Sequence, residues 1–116
     1  MHWHPADMQN KHLLFVDQAA GLAAKSGMRM RHGCVIVHRN KIVGSGFNYR
    51  FEKNGKHSVH AEESALLSLS QKVSRLKHLK VYVARVGAQG LSPSYPCKHC
   101  AKLLLMRPNI CKVFYS

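Results

Sequence analysis

The stretch CVIVHRNKIVG, residues 34–44, holds two β-branched runs separated by three polar residues. Short runs of this kind, joined by turn residues such as Asn, are typical of an antiparallel hairpin. Residues 34–37 and 41–44 are therefore the first two predicted strands. This hairpin decides the fold, because the elements predicted around it must pack on the sheet that it begins.

Helices and strands alternate on either side of the hairpin. Residues 7–26 carry apolar side chains at three- and four-residue spacings and precede Gly27, which predicts an amphipathic helix. Residues 48–57 show neither the apolar spacing of a helix nor the two-residue alternation of a strand, which indicates a loop. The later predicted elements are a helix over residues 60–71 with Ser58 as its cap, a strand over 79–84, a helix over 97–106 and a strand over 110–115.

This order of elements predicts an α/β fold. The hairpin and the later strands form a mixed, four-stranded sheet with helices on both faces, and each strand-helix-strand unit crosses right-handed. The second and third helices then begin on the same edge of the sheet. Residues 1–116 are expected to form one domain, since 116 residues suit a single core.

Two short motifs stand where those helices begin. One is HAE, residues 60–62, and the other is PCKHC, residues 96–100. Cys97 and Cys100 are three positions apart, so both thiols lie on one face of a helical turn and can bind one zinc ion, with His60 as third ligand. Three protein ligands leave the fourth zinc position open, as in catalytic zinc sites. Glu62 lies two residues after His60 and points elsewhere, so its carboxylate is free to move protons.

A structural zinc site is the alternative interpretation of these residues. In it, Cys34, Cys111, His57 or His99 completes a small finger-like centre, and Glu62 is a solvated helix carboxylate like its neighbour Glu63. Cys-x-x-Cys alone is a weak signal. His-x-Glu placed before Pro-Cys-x-x-Cys is a strong one and favours the catalytic interpretation.

The charge is strongly basic, because 18 Lys and Arg residues face only five acidic residues, for a formal net charge of +13. Such a surface attracts polyanions, RNA or DNA among them, or phosphorylated small molecules. The basic residues are spread along the chain rather than gathered in one run, so a generically basic protein is the alternative, and the charge alone does not identify a nucleic-acid module.

The location of the protein is predicted from what the sequence lacks. The first residues carry no apolar run of the signal-peptide kind, and no later run is long enough to cross a bilayer. A soluble, cytoplasmic protein without membrane contact is therefore expected. Cys34 and Cys111 lie inside predicted strands, so a disulfide framework is not expected, and a reducing compartment suits zinc thiolates.

The two motifs resemble those of the cytidine and deoxycytidylate deaminase superfamily, whose zinc enzymes carry H-x-E followed by P-C-x-x-C. The resemblance extends from residues 35–37 through residues 44–48 to residues 113–115, and residues 57–59 and 100–102 look most like the deoxycytidylate (dCMP) branch. It implies a three-layer α/β/α fold, a Zn²⁺ cofactor and hydrolytic deamination of a cytosine nucleotide or nucleoside, with conversion of dCMP to dUMP favoured. In that reaction a zinc-activated water attacks the ring carbon that bears the amine, and Glu62 moves the protons.

The predicted substrate contacts are Asn48, Ala61, Tyr95 and Arg50. Asn48 resembles the Asn that ends the second strand in relatives, whose side chain hydrogen-bonds the substrate sugar. In this sequence, Tyr95 is placed to stack on a base, and Arg50 is placed to contact a phosphate. The alternatives are a turn residue for Asn48, a core position for Tyr95 and solvated loop charge for Arg50. The sequence Tyr49-Arg50 stands where deoxycytidylate deaminases carry Gly-x-Pro, so their nucleotide specificity is not carried over.

Two other functions and one assembly state follow from the same sequence. A polynucleotide deaminase that acts on tRNA or other RNA is one alternative function, and an inactive zinc-stabilised nucleic-acid-binding module is an alternative to an enzyme.

Relatives continue to a fifth strand and a final helix, whereas this sequence stops at Ser116. One sheet edge or one hydrophobic face is therefore expected to be uncovered, and a homo-oligomer is expected to cover it.

Overall fold

The computed structural model describes residues 2–5, 10–51, 57–87, 90–92 and 97–116. Its helices are α1 (Asn10–Ala23), α2 (Ala61–Ser68) and α3 (Lys98–Leu105), and a short 3₁₀ helix spans Val73–Arg75. Its strands are β1 (His2–Pro5), β2 (Arg31–His38), β3 (Lys41–Phe47), β4 (Tyr49–Phe51), β5 (His57–Val59), β6 (Leu79–Gly87), β7 (Gly90–Ser92) and β8 (Ile110–Tyr115). None of the helices in these ranges is both long and apolar enough to span a membrane.

The main sheet has the strand order β1-β8-β6-β2-β3, and β7 pairs with β6 beside this path. Strand β2 is antiparallel to both β3 and β6, whereas β6 and β8 are parallel. The four predicted strands are the contiguous part β8-β6-β2-β3. This arrangement confirms the predicted mixed α/β fold.

The predicted hairpin is formed by β2 and β3. A two-residue turn joins the strands, and both of its residues have positive φ, 50° at Arg39 and 63° at Asn40. Positive φ at both positions is the type I′ geometry, which matches the twist of the two strands. The strands are longer than predicted, since pairing extends to Gly33 and Phe47.

The strand count differs from the prediction at the edge of the sheet. Four strands were expected, but a further strand, β1, pairs in parallel with β8, with His2 opposite Lys112 and Pro5 opposite Tyr115. Strand β1 therefore pairs with backbone groups that β8 would otherwise leave open at that edge. Four residues are too short for a two-residue periodicity to identify.

The predicted loop over residues 48–57 is wrong in part. Strands β4 and β5 form a separate two-stranded ribbon in which Tyr49 pairs with Val59 and Phe51 with His57. The hydrogen bonds of this ribbon come from a partner strand rather than from local sequence, so three-residue segments gave no signal. Ser58 lies within β5, and α2 is capped at His60, so the predicted Ser58 cap is also wrong.

Side chains alternate between two cores on the two faces of the sheet. Val35 and Val37 of β2 pack on the face covered by α1. Cys34 and Ile36 pack on the opposite face, which α2 and α3 cover. The sheet therefore lies between two helical layers, as the α/β/α prediction requires.

Two glycines allow the helices to approach the sheet. A Cβ atom on Gly33 would overlap the Ala19 carbonyl oxygen of α1. A Cβ atom on Gly46 would overlap the Ser64 side chain and the Ala65 nitrogen of α2. The close approach of α2 to β3 holds the first turn of α2 against the sheet, which fixes the position of the HAE motif.

Candidate active site

The two motifs meet because each of them begins a helix. His60 is the N-cap residue of α2 and Cys97 is the N-cap residue of α3. The sulfur of Cys97 accepts a hydrogen bond from the Cys100 backbone N–H at 3.4 Å, which closes the first turn of α3. The ligand atoms of His60, Cys97 and Cys100 all lie within 4.8 Å of one another. The predicted convergence of the two helix starts is confirmed.

The geometry of this triad fits zinc. The Cys97 Sγ and His60 Nδ1 atoms are 3.6 Å apart. Ligands at zinc–sulfur and zinc–nitrogen distances of about 2.3 and 2.1 Å in a tetrahedron lie about 3.6 Å apart. Neither Cys97 nor Cys100 is in a disulfide, so both sulfurs are available to a metal. Cys100 is fully buried, whereas Cys97 is exposed at the opening of the site.

The finger-like alternative finds no fourth ligand in the described part of the chain. Cys34 is buried in the core beneath α2, and Cys111 lies on β8, and neither joins the triad. The side chains of His57 and His99 lie outside the described residues. An open fourth position is the arrangement of catalytic zinc.

Glu62 differs sharply from its neighbour Glu63. The Glu62 side chain is 5% exposed and lines a cavity at the triad, whereas Glu63 is half-buried and does not line it.

Burial raises the pKa of the Cys100 thiol, and the Glu62 carboxylate raises it further. The same two causes raise the pKa of Cys34. A carboxylate buried among thiols is costly without a nearby cation, and a Zn²⁺ ion on the triad would supply that charge.

The cavity has a volume of about 340 Å³, which is within the usual range of small-molecule sites. Its described lining comes from the loop before β2, from β2, from the residue between β3 and β4, from β5, from the start of α2 and from the N-cap of α3. The lining residues are Met28, Met30, His32, Asn48, Ser58, Val59, His60, Ala61, Glu62 and Cys97.

Asn48 lines this cavity, but its amide also holds the backbone of the neighbouring strand. Its Oδ1 accepts a hydrogen bond from the His32 N–H at 2.8 Å, and its Nδ2 donates to the Met30 carbonyl. Its own N–H donates to the His32 carbonyl at 3.2 Å. Each amide group keeps capacity for one further bond, so contact with a substrate stays a prediction.

The other predicted substrate contacts have different outcomes. Ala61 lines the cavity and is 1% exposed. Arg50 is exposed on β4 and pairs with Ser58, a lining residue, so it lies beside the cavity rather than in its wall. Tyr95 lies outside the described residues.

His32 is one of the lining residues that the sequence patterns did not indicate. It lies two positions before Cys34 and four before Ile36, so it shares their face of β2 and is directed toward α2. Burial lowers the pKa of His32, and the opposing effect of the Glu62 carboxylate is smaller. The alternation along the strand could have identified it, because that face leads to the predicted start of α2.

An α/β/α fold that brings one histidine, two cysteines and a buried glutamate together at two helix starts defines the zinc-dependent nucleobase deaminases. Residues 9–116 match the family described as the cytidine and deoxycytidylate deaminase zinc-binding region. The chain belongs to this family of zinc enzymes. No curated protein sequence matches it significantly.

Solved structures show the same fold at low sequence identity. The dCMP deaminase of cyanophage S-TIM5 in its apo form superposes with a TM-score of 0.72 at 20% identity, over 93% of this chain and 84% of that one. Guanine deaminase from Bacillus subtilis superposes with a TM-score of 0.66 at 22% identity, over 90% of this chain and 63% of that one. For cytidine deaminase from Mycobacterium tuberculosis the TM-score is 0.62 at 17% identity, over 88% of this chain and 81% of that one.

Proposed function

We propose that the protein catalyses zinc-dependent hydrolytic deamination of a cytosine nucleotide or nucleoside, with dCMP favoured. The observation that carries the proposal is that buried Glu62 lines one cavity together with His60 and Cys97, two members of the zinc-fitting triad. The family described for residues 9–116 supports cytidine or deoxycytidylate as the substrate class. The residues at 100–102 support the deoxycytidylate branch.

The proposed roles follow from positions in the cavity. His60, Cys97 and Cys100 would hold the zinc ion, and both helix starts contribute a positive dipole that favours thiolate ligands. When bound, zinc would supply an acidified water as the nucleophile for the ring carbon bearing the amine. Glu62 would carry the first proton of this water to the adjacent ring nitrogen and the second to the amino group, which then leaves as ammonia. One water is consumed, and the amine becomes a carbonyl.

We expect a comparison of substrates to identify the class. The zinc-loaded protein should release ammonia from dCMP faster than from deoxycytidine, because the described part of the cavity rim is cationic, and faster from either than from guanine. The measurement is ammonia release at matched concentrations of dCMP, deoxycytidine, cytidine and guanine. Absence of turnover with every cytosine monomer would contradict the leading proposal.

A polynucleotide deaminase is the second candidate, and the cations around the cavity favour it. Arg29 lies between the lining residues Met28 and Met30, Lys98 follows Cys97, and both cations are exposed. Together with Arg50 they come from three separate parts of the chain, namely the loop before β2, strand β4 and the start of α3. Phosphates along a single strand could contact several of them at once, whereas a mononucleotide carries one phosphate.

Salt dependence distinguishes the two candidates. A polynucleotide substrate should show turnover or binding that falls steeply with salt concentration, because each phosphate contact releases counterions. Single-stranded RNA and DNA oligonucleotides containing one cytosine are the probes. Tight, salt-dependent binding without deamination would instead favour the inactive binding module.

We also propose that the protein forms a homo-oligomer. The support no longer comes from an open edge at β8, since β1 pairs there. It comes from three large apolar side chains on the outer layer formed by α2 and α3, with exposures of 72% at Leu67, 60% at Leu105 and 73% at Met106. Light scattering at micromolar concentration should give a mass above 13.1 kDa. A monomer mass would contradict it.

A further inference from the structure

We infer that His32 is a specificity-determining residue that hydrogen-bonds the nucleoside part of the substrate, its base or sugar, and not its phosphate. This inference rests on the proposed function, because it assigns a substrate contact in the same cavity. It concerns a residue outside the HAE and PCKHC motifs, and four observations support it.

The first observation is the direction of the side chain. His32 is on the same face of β2 as Cys34 and Ile36, which pack beneath α2. It lies nearer the N-terminal end of the strand, next to the cavity at the start of α2. Its imidazole therefore lines the cavity near Glu62 rather than entering the core. The Glu62 carboxylate is among the groups that influence its protonation.

The second observation is that the backbone of His32 is fixed by Asn48. The His32 N–H and carbonyl are each hydrogen-bonded to Asn48, at 2.8 and 3.2 Å. Both backbone groups of His32 are therefore bonded on the Asn48 side, and Arg85 of β6 is its register partner on the other side. A side chain on a backbone held by two hydrogen bonds is a well-positioned contact, since little conformational freedom is left to lose on binding.

The third observation is the shortage of other polar groups to recognise the substrate. His60 and Cys97 are committed to the metal site, and Glu62 to proton transfer. Each group of the Asn48 amide already makes one bond, to the backbone at His32 or Met30. Of the remaining lining residues in the described ranges, only His32 and Ser58 have polar side chains.

The fourth observation is the charge of the ring. Burial lowers the pKa of His32, which favours the neutral imidazole, with one donor and one acceptor nitrogen. A neutral ring suits the uncharged carbonyl, amine and hydroxyl groups of a nucleoside. It gives no electrostatic advantage to a phosphate, for which the exposed arginines and lysine at the rim are better placed.

The test compares zinc-loaded wild type, His32→Phe and His32→Gln on cytosine, cytidine, deoxycytidine and dCMP. Phenylalanine keeps a ring but cannot hydrogen-bond, whereas glutamine keeps a donor and an acceptor. Neither change removes the backbone bonds to Asn48. Zinc content and thermal midpoint establish that each variant is folded, and His38→Phe, at the other end of β2 and outside the cavity, is the matched control.

The expected result is a loss of about 10- to 100-fold in kcat/KM for His32→Phe, which corresponds to one hydrogen bond in a buried site, with a smaller loss for His32→Gln and none for His38→Phe. The loss should be the same for deoxycytidine and dCMP, because the contact is to the nucleoside. A loss that extends to free cytosine places the contact on the base, and a loss confined to nucleosides and nucleotides places it on the sugar.

Three results would overturn the inference while leaving the proposed function intact. They are an unchanged kcat/KM in His32→Phe, a loss at least tenfold greater for dCMP than for deoxycytidine, and a displaced pH limb of kcat/KM, which would show that His32 acts through Glu62. If wild type turns over none of the four substrates, the proposed function fails. In that case, calorimetric binding of uridine is compared between wild type and the variants. Weaker affinity in His32→Phe, but not in His38→Phe, supports the contact. Absence of uridine binding to wild type, or the same affinity in wild type and His32→Phe, overturns it.

Discussion

Replacing Glu62 with glutamine is expected to lower kcat by about 10²- to 10⁴-fold or more, because general acid–base assistance has this size and Glu62 would serve several proton transfers. Glutamine has nearly the same volume and leaves the buried position filled. It cannot accept the water proton at neutral pH. Zinc content should stay at wild-type level, because the ligand atoms belong to His60, Cys97 and Cys100. The measurements are ammonia release and metal analysis on the same preparation.

Glu63→Gln is the control for this variant. It makes the same chemical change one residue along α2, on a half-buried side chain that does not line the cavity. Its activity should be close to wild type. Wild-type activity in Glu62→Gln would rule out the proposed mechanism, however well the triad fits zinc.

Replacing Cys97 with serine is expected to remove zinc and activity together. A serine hydroxyl stays protonated at neutral pH and is a poor substitute for a thiolate, so two ligands remain. Zinc per chain should fall from one to near zero, and the thermal midpoint should fall because metal binding contributes to folding free energy. The sheet cores should still form, since Cys97 is exposed and belongs to neither apolar cluster.

Cys111→Ser is the matched control for the thiol. It removes a cysteine of intermediate exposure on β8, outside the triad. Full zinc and full activity are expected from it. Should Cys97→Ser retain one zinc per chain, the ligand set proposed here is wrong.

Local patterns predicted the elements whose signal lies in their own residues. The β8 strand was predicted with the bounds that the structure shows, and α3 was predicted within one residue at each end. Their apolar positions are spaced as the secondary structure requires. The motif spacing also predicted the triad, because Cys97 and Cys100 lie on one helical turn whatever surrounds them.

Elements that depend on a distant partner were not predictable in this way. Strand β1 exists through its pairing with β8, and the ribbon of β4 and β5 exists through pairing across residues 52–56. Each segment is only three or four residues long, so its stability comes from hydrogen bonds to the partner and not from periodicity. Helix α2 is also shorter than predicted: it ends at Ser68 rather than residue 71, where Leu69 is extended and the Ser68 hydroxyl accepts a hydrogen bond from the Ser45 N–H of β3.

The sequence alone predicted the donor atoms of the candidate site, since one imidazole, two thiols and one carboxylate at these spacings allow few other chemistries. Only the tertiary structure decided which groups surround them. It buried Glu62 while leaving Glu63 half-exposed, it committed the Asn48 amide to the backbone of the next strand, and it directed His32 into the cavity. The physical reason is that ligand spacing is a property of one helical turn, whereas burial and hydrogen-bond partners come from segments far apart in the chain.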